Sequence, residues 1–158
     1  MTLGQVNKYI KSYNQSLKEH PSNKSINLSI AFCYLKLKMY DQAIYAFAKS
    51  IEDNFDNSES YFYGAVALLR GKKAFVAKRP DINLAIEYLN AANMIEPKGI
   101  YYHFLAYIKY DYFERKHFHI TPDYISECEM AKEFGYSDAD FHMLYELLGI
   151  ECPIQLIA

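Results

Sequence analysis

A chain of 158 residues, 51% hydrophobic and 23% charged, holds enough apolar surface to bury one core and too much to stay disordered. Its formal net charge of −2 argues against nucleic acid as the main partner. No stretch approaches the length of a membrane span, and the opening MTLGQVNKYIKSYNQSLKEH scatters lysines without an apolar run, so it reads as neither leader nor anchor.

The three cysteines, Cys33, Cys128 and Cys152, are far apart and form no C-x-x-C pair. They read as reduced, buried small hydrophobes of a cytoplasmic protein, without a disulfide framework or structural zinc. Aromatic residues, 16 Tyr and 10 Phe with no Trp, suggest large side chains filling gaps between helices.

In chain order, the first predicted helix covers about 3–19 and the next two about 25–37 and 41–53. A second pair follows over 58–70 and 82–95, with Asp56-x-x-Glu59 as its expected capping box. In NLAIEYLNAANMIEP, Ala85, Leu89 and Ala92 are spaced four and three apart and share one helix face. Small residues there let another helix backbone come close, and Pro97 stops the helix. An aromatic helix over 99–116 opens a third pair. Its partner is expected to begin at Thr121-Pro122-Asp123, with a cap, a first-turn proline and an acid on the dipole, and to end at Gly135. Ser137-x-x-Asp140 opens a last helix that closes at Gly149.

These helices repeat. Tyr9, Ile10, Tyr13, Ser16 and Pro21 align with Ala43, Ile44, Phe47, Ser50 and Phe55, and these with Ala85, Ile86, Leu89, Ala92 and Pro97. The step from Tyr9 to Ala43 recurs unchanged from Ile30, Ala31 and Tyr34 to Gly64, Ala65 and Leu68. The step from Ala43 to Ala85 is longer by eight, so the extra residues fall between Leu68 and Ala85. The pattern resembles the tetratricopeptide repeat (TPR), whose period is about 34 residues. The resemblance is clear over residues 5–97 and looser to about 134, with Asn27 and Tyr61 where that family has tryptophan.

The resemblance implies an all-α, right-handed superhelix of antiparallel helix pairs, about seven helices with a terminal capping helix, in one domain spanning 1–158. Its expected parts are a half repeat 3–21, a repeat 24–55, a repeat with insertion 58–97, a degenerate repeat 99–135 and a cap 137–149. In this family the first helices of the pairs line a concave groove where recognition usually happens. Carrying that register over names Leu28, Phe32, Phe62, Val66, Tyr101, Phe104 and Ile108 as groove-facing. Members that clamp a peptide carboxylate use Lys, Asn and Arg at such positions, and this chain has apolar residues instead. An apolar groove needs a cover: a partner segment, a second copy of the chain, or the chain's own tail CPIQLIA. Tyrosine-rich packing that closes the groove on itself is the alternative.

The insertion RGKKAFVAKRP groups Arg70, Lys72, Lys73, Lys78 and Arg79 around Ala74-Phe75-Val76-Ala77. One reading extends the preceding helix and uses charge only to keep a long connection soluble. The other is an anion-recognising finger with an apolar tip, projecting beyond the stack to touch an acidic protein, a phosphate group or nucleic acid. His117 and His119 alternate in RKHFHITP without a carboxylate or thiol cluster and read as solvated, while His103 and His142 read as packing residues. Asp111 and Glu114 share a face expected to meet solvent. No spacing groups a nucleophile with a base or builds a phosphate loop. The expectation is therefore a non-enzymatic interaction module without cofactor or metal, whose partner is another protein, a peptide segment or a second copy. An accessory protein touching nucleic acid through the basic insertion is the alternative.

Overall fold

In a computed structural model, residues 3–19 and 24–157 are described, and among them lie eight α-helices and no strand. They are α1 (Leu3–Glu19), α2 (Lys24–Lys36), α3 (Tyr40–Asp53), α4 (Ser58–Leu68), α5 (Arg79–Ile95), α6 (Gly99–Ile108), α7 (Tyr124–Phe134) and α8 (Asp138–Leu148). Pro21, and the side chains of Tyr13 and Ser16, lie outside the described residues. Helix α2 packs on α3, α4 on α5 and α6 on α7, while α1 meets α2, α3 meets α4 and α5 meets α6. The result is two layers, with α2, α4 and α6 inside and α1, α3, α5 and α7 outside. Helix α8 crosses to the inner layer and packs on α4 and α6.

The small-residue face does what its spacing predicts. Ala43, Ala85, Leu89 and Ala92 are fully buried, and so is Phe47. Ser50, in the place of Ala92 one repeat earlier, hydrogen-bonds the Ser60 hydroxyl at 3.0 Å, so its polarity is satisfied in the seam between α3 and α4. At Gly64 a Cβ would come within 3.1 Å of the Tyr88 ring, which sets how closely α4 and α5 approach. Asn27, where the repeat family has tryptophan, is buried and donates from Nδ2 to Asp53 at 3.1 Å, so a hydrogen bond to α3 stands where a large ring would fill space. Helix α6 is buried at every position except Tyr102, as expected of a helix covered on all sides by α5, α7 and α8.

Several helix ends differ from expectation. The cap of α4 is Asn57, whose side chain accepts from the Glu59 N–H at 3.0 Å, and not Asp56. The cap of α7 is Asp123, accepting from Ser126 N–H at 2.9 Å, so Thr121 and the cis-bonded Pro122 precede the helix. At both places two residues close in the chain, Asp56 with Asn57 and Thr121 with Asp123, are good capping types, and only the path of the chain chooses between them. Ser137 does cap α8, through a 3.1 Å bond from Asp140 N–H, and Gly135 and Gly149 end their helices at φ +74° and +70°. The aromatic helix does not continue evenly to 116: α6 ends at Ile108 and a π-helical turn, Lys109–Glu114, follows. That wider turn buries Lys109 and Asp111 together, with Lys109 paired to α7 and Asp111 to the insertion.

Candidate partner-binding surfaces

The inner face is divided into a filled half and an open half. Helix α8 fills the half above α4 and α6. Its residues Phe141, Leu144, Tyr145 and Leu148, at i, i+3, i+4 and i+7, form one apolar face, with Leu144 and Leu148 fully buried. The Tyr145 hydroxyl lies 2.7 Å from Nε2 of His103, and the Tyr136 hydroxyl lies 3.3 Å from Nδ1. Tyr63 donates to the Met143 sulfur at 3.6 Å. Burial drives His103 down to about 4, so the imidazole is neutral near pH 7, and pushes the Tyr145 hydroxyl far up.

This arrangement corrects the open groove expected along the whole stack. Phe62, Val66, Tyr101, Phe104 and Ile108 are in the interior, at most 2% exposed, where no partner reaches them. Phe62 meets the Tyr101 ring at 4.9 Å and the Phe104 ring at 5.9 Å, in the seam between α4 and α6. The residues that face α8 are Tyr63, His103 and Tyr107 instead. Each residue turns a helix by about 100°, so a register offset of one moves a side chain from the groove into the helix–helix seam.

Leu28 and Phe32 are placed together, half-buried, in a cleft of about 560 Å³ between α1, α2 and α4. Tyr9, Ser29, Cys33, Lys36, Glu59 and Tyr63 complete its lining. Phe32 meets Tyr63 edge-on at 5.1 Å, and the Lys36 ammonium sits 5.4 Å over the Phe32 ring. Tyr63, at the boundary between the two halves, is pushed up to about 12 by burial, with the Glu59 carboxylate adding to it. Ser29 and Tyr63 occupy the same place in successive repeats, and following that pair along the chain would have marked the groove line.

The insertion also departs from expectation. It does not extend α4 or project from the stack. Arg70 and Gly71 adopt φ of +54° and +69°, which ends the helix and reverses the chain. Arg70 then pairs with Asp41 of α3 and, at 3.5 Å, with Asp81 of α5. Residues Ala74–Val76 make one 3₁₀ turn that docks on the π-helical segment. The Tyr107 hydroxyl accepts from Ala74 N–H at 3.0 Å and Asp111 Oδ2 accepts from Phe75 N–H at 2.8 Å. Asp111 also holds Arg115 at 2.6 Å. Asp111 is thus a buried clamp and not the solvent-facing acid expected from its spacing, whereas Glu114 is exposed.

Of the five insertion cations, Lys72, Lys73 and Lys78 are exposed without an ion pair among the described residues. Arg79 stacks its guanidinium over Phe113 at 4.9 Å, Tyr112 at 5.6 Å and Phe118 at 5.8 Å. In the tail Leu156 is buried and Cys152 packs against the core, whereas Ile154 and Ile157 are 82% and 60% exposed, and no described tail residue lines the cleft at Leu28 and Phe32. His117 and His119 are exposed, and no group of three metal-ligating side chains occurs among the described residues. No helix among them is long and apolar enough to cross a membrane.

Stacked helix pairs, an inner face half filled by a terminal helix and short connections define an all-α helical-repeat fold of the TPR type. Solved structures share it, among them two titled MamA. One, titled MamA AMB-1, is 21% identical, covers 84% of this chain and 70% of that one, and superposes with a TM-score of 0.64. The other, titled MamA MSR-1, is also 21% identical, with 84% and 71% covered and a TM-score of 0.63. At that identity the likeness is one of fold. No protein-family model and no curated protein matches the chain.

Proposed function

We propose that the chain is a protein-interaction module that takes an apolar, helix-forming segment of another protein into the open half of its inner face. The observation that carries this reading is the neighbouring half of the same face. There α8 already occupies the groove through apolar side chains at i, i+3, i+4 and i+7, the spacing by which amphipathic helices dock in grooves. The open cleft continues that groove past Tyr63 and presents Leu28 and Phe32, half-buried and rimmed by Lys36 and Glu59. Apolar anchors would supply affinity, and the two rim charges would set orientation. The reading assigns the chain no catalytic step and no cofactor.

A display library of helical peptides, selected on the intact protein and read by fluorescence polarisation, tests it. Selected peptides should carry apolar residues three and four apart, and Phe32→Glu should weaken them at least tenfold while circular dichroism is unchanged. Equal binding by Phe32→Glu would remove the cleft from the account. Concentration-dependent dimers in light scattering, abolished by the same substitution, would make a second copy the occupant.

A further inference from the structure

The insertion and the π-helical segment, distant in sequence, build one continuous surface of stacked cations and rings. The Arg115 guanidinium lies 4.5 Å over the Phe75 ring, and the Lys116 ammonium lies 4.9 Å over Phe75 and 3.8 Å over Tyr112. Arg79 lies over Tyr112, Phe113 and Phe118. Lys73 and Lys78 flank the 3₁₀ turn that holds Phe75. Among the described residues, the one carboxylate paired to this stack is Asp111, which is buried and bound to Arg115. Lys73, Lys78, Arg79 and Lys116 have no ion pair among the described residues. On a chain whose net charge is −2, these four cations gather on one surface without a paired carboxylate among the described residues.

We infer that this cation–ring platform is a second docking surface, separate from the inner-face cleft, and that it binds a carboxylate-rich peptide segment. Three features select that occupant. Tyr112 and Phe113 are buried and Phe75 lies under Arg115 and Lys116, which leaves Phe118 as the one exposed ring of the platform, too few for successive bases to stack. Beside the platform, Lys73 and Arg115 line a cleft of about 890 Å³, to which Glu146 and Glu151 also contribute. A peptide strand can enter that concavity along Lys73 and Arg115, whereas a bilayer is flat and cannot. Fixing Arg79, Arg115 and Lys116 on rings also lowers the side-chain entropy they lose on binding.

The platform is tested with the full chain and a fluorescein-labelled peptide of alternating Glu and Ala, against the same peptide with Gln for Glu. The Glu peptide should bind at least tenfold more tightly than the Gln peptide, and raising salt from about 0.05 M to about 0.3 M should weaken it roughly tenfold. Lys73→Glu/Lys78→Glu, two exposed positions, should abolish the preference with an unchanged melting curve. Lys116→Gln should weaken it severalfold, and Phe32→Glu should leave it intact, which separates this surface from the inner-face cleft. Equal binding of the two peptides would overturn the assignment. So would unaltered binding by the double variant, or tighter binding to a random single-stranded oligonucleotide or to phosphatidylserine vesicles than to the Glu peptide.

Discussion

Replacing Gly99 by alanine adds one methyl group where α6 begins, and the structure says what that group would strike. A Cβ at Gly99 would lie 2.1 Å from the Gly135 carbonyl oxygen, 2.5 Å from its carbon and 2.9 Å from the Ala131 oxygen. These are backbone atoms at the end of α7, where Gly135 N–H donates to the Ala131 carbonyl at 2.8 Å, so no flexible side chain can swing aside. Either α6 moves away from α7 or the closing turn of α7 opens. Overpacking of this kind costs about 1–3 kcal/mol, and a backbone obstacle places the cost at the upper end. The gain in helix propensity from Gly to Ala offsets at most about 1 kcal/mol of it. A net loss of about 2 kcal/mol in a domain of this size lowers Tm by roughly 4–8 °C. Scanning calorimetry of Gly99→Ala beside Gly4→Ala provides the internal control. Gly4 has nothing within 4 Å of its virtual Cβ, so Gly4→Ala should be neutral or slightly stabilising. A Gly99→Ala protein that melts as high as wild type would refute the close approach of α6 and α7.

Lys109 and Glu127 are both buried and pair at 3.1 Å, with Lys109 also donating to the Pro122 carbonyl at 2.8 Å. Lys109→Met should cost about 3–5 kcal/mol in urea unfolding because it strands the Glu127 carboxylate, and Lys109→Met/Glu127→Leu should recover much of that. His103 is held neutral by burial, with its folded value near 4 against about 6.5 when unfolded. The unfolded chain therefore binds the extra proton first, so stability is fully present above about pH 6.5 and falls as pH drops toward 4, by about 3 kcal/mol in all. His103→Gln should flatten that slope in pH-dependent melts, and an unchanged slope would assign the acid sensitivity elsewhere. Arg79→Glu should lose about 1–2 kcal/mol by breaking its ring stack, while Lys78→Glu changes stability by less than about 0.5 kcal/mol, as thermal denaturation of the pair would show.

The helical stack was legible from spacing alone because the physics behind it is local and repeated. A face of Ala85, Leu89 and Ala92, matched one repeat earlier by Ala43, Phe47 and Ser50, has one economical use, which is close contact between helices. Glycine at 135 and 149 marks helix ends by the same local rule, through backbone angles that side chains disfavour. Which polar or aromatic side chain faces what is a different kind of question. Phe62 and Tyr63 are neighbours of similar size, yet one lies in a helix seam and the other lines the groove. The rotation that separates them is set by how α4 seats on α5 and α6. Asp111 became a clamp only because the insertion folds back to offer it the Phe75 amide. Gly71 in RGKKAFVAKRP was the one local sign that the chain would turn there, and its backbone angle was invisible among five cations. Arg79, Arg115 and Lys116 share a surface through contacts between segments distant in the chain. Periodicity sums over many residues and survives single errors, whereas a site depends on individual distances of a few ångströms that only the packed chain sets.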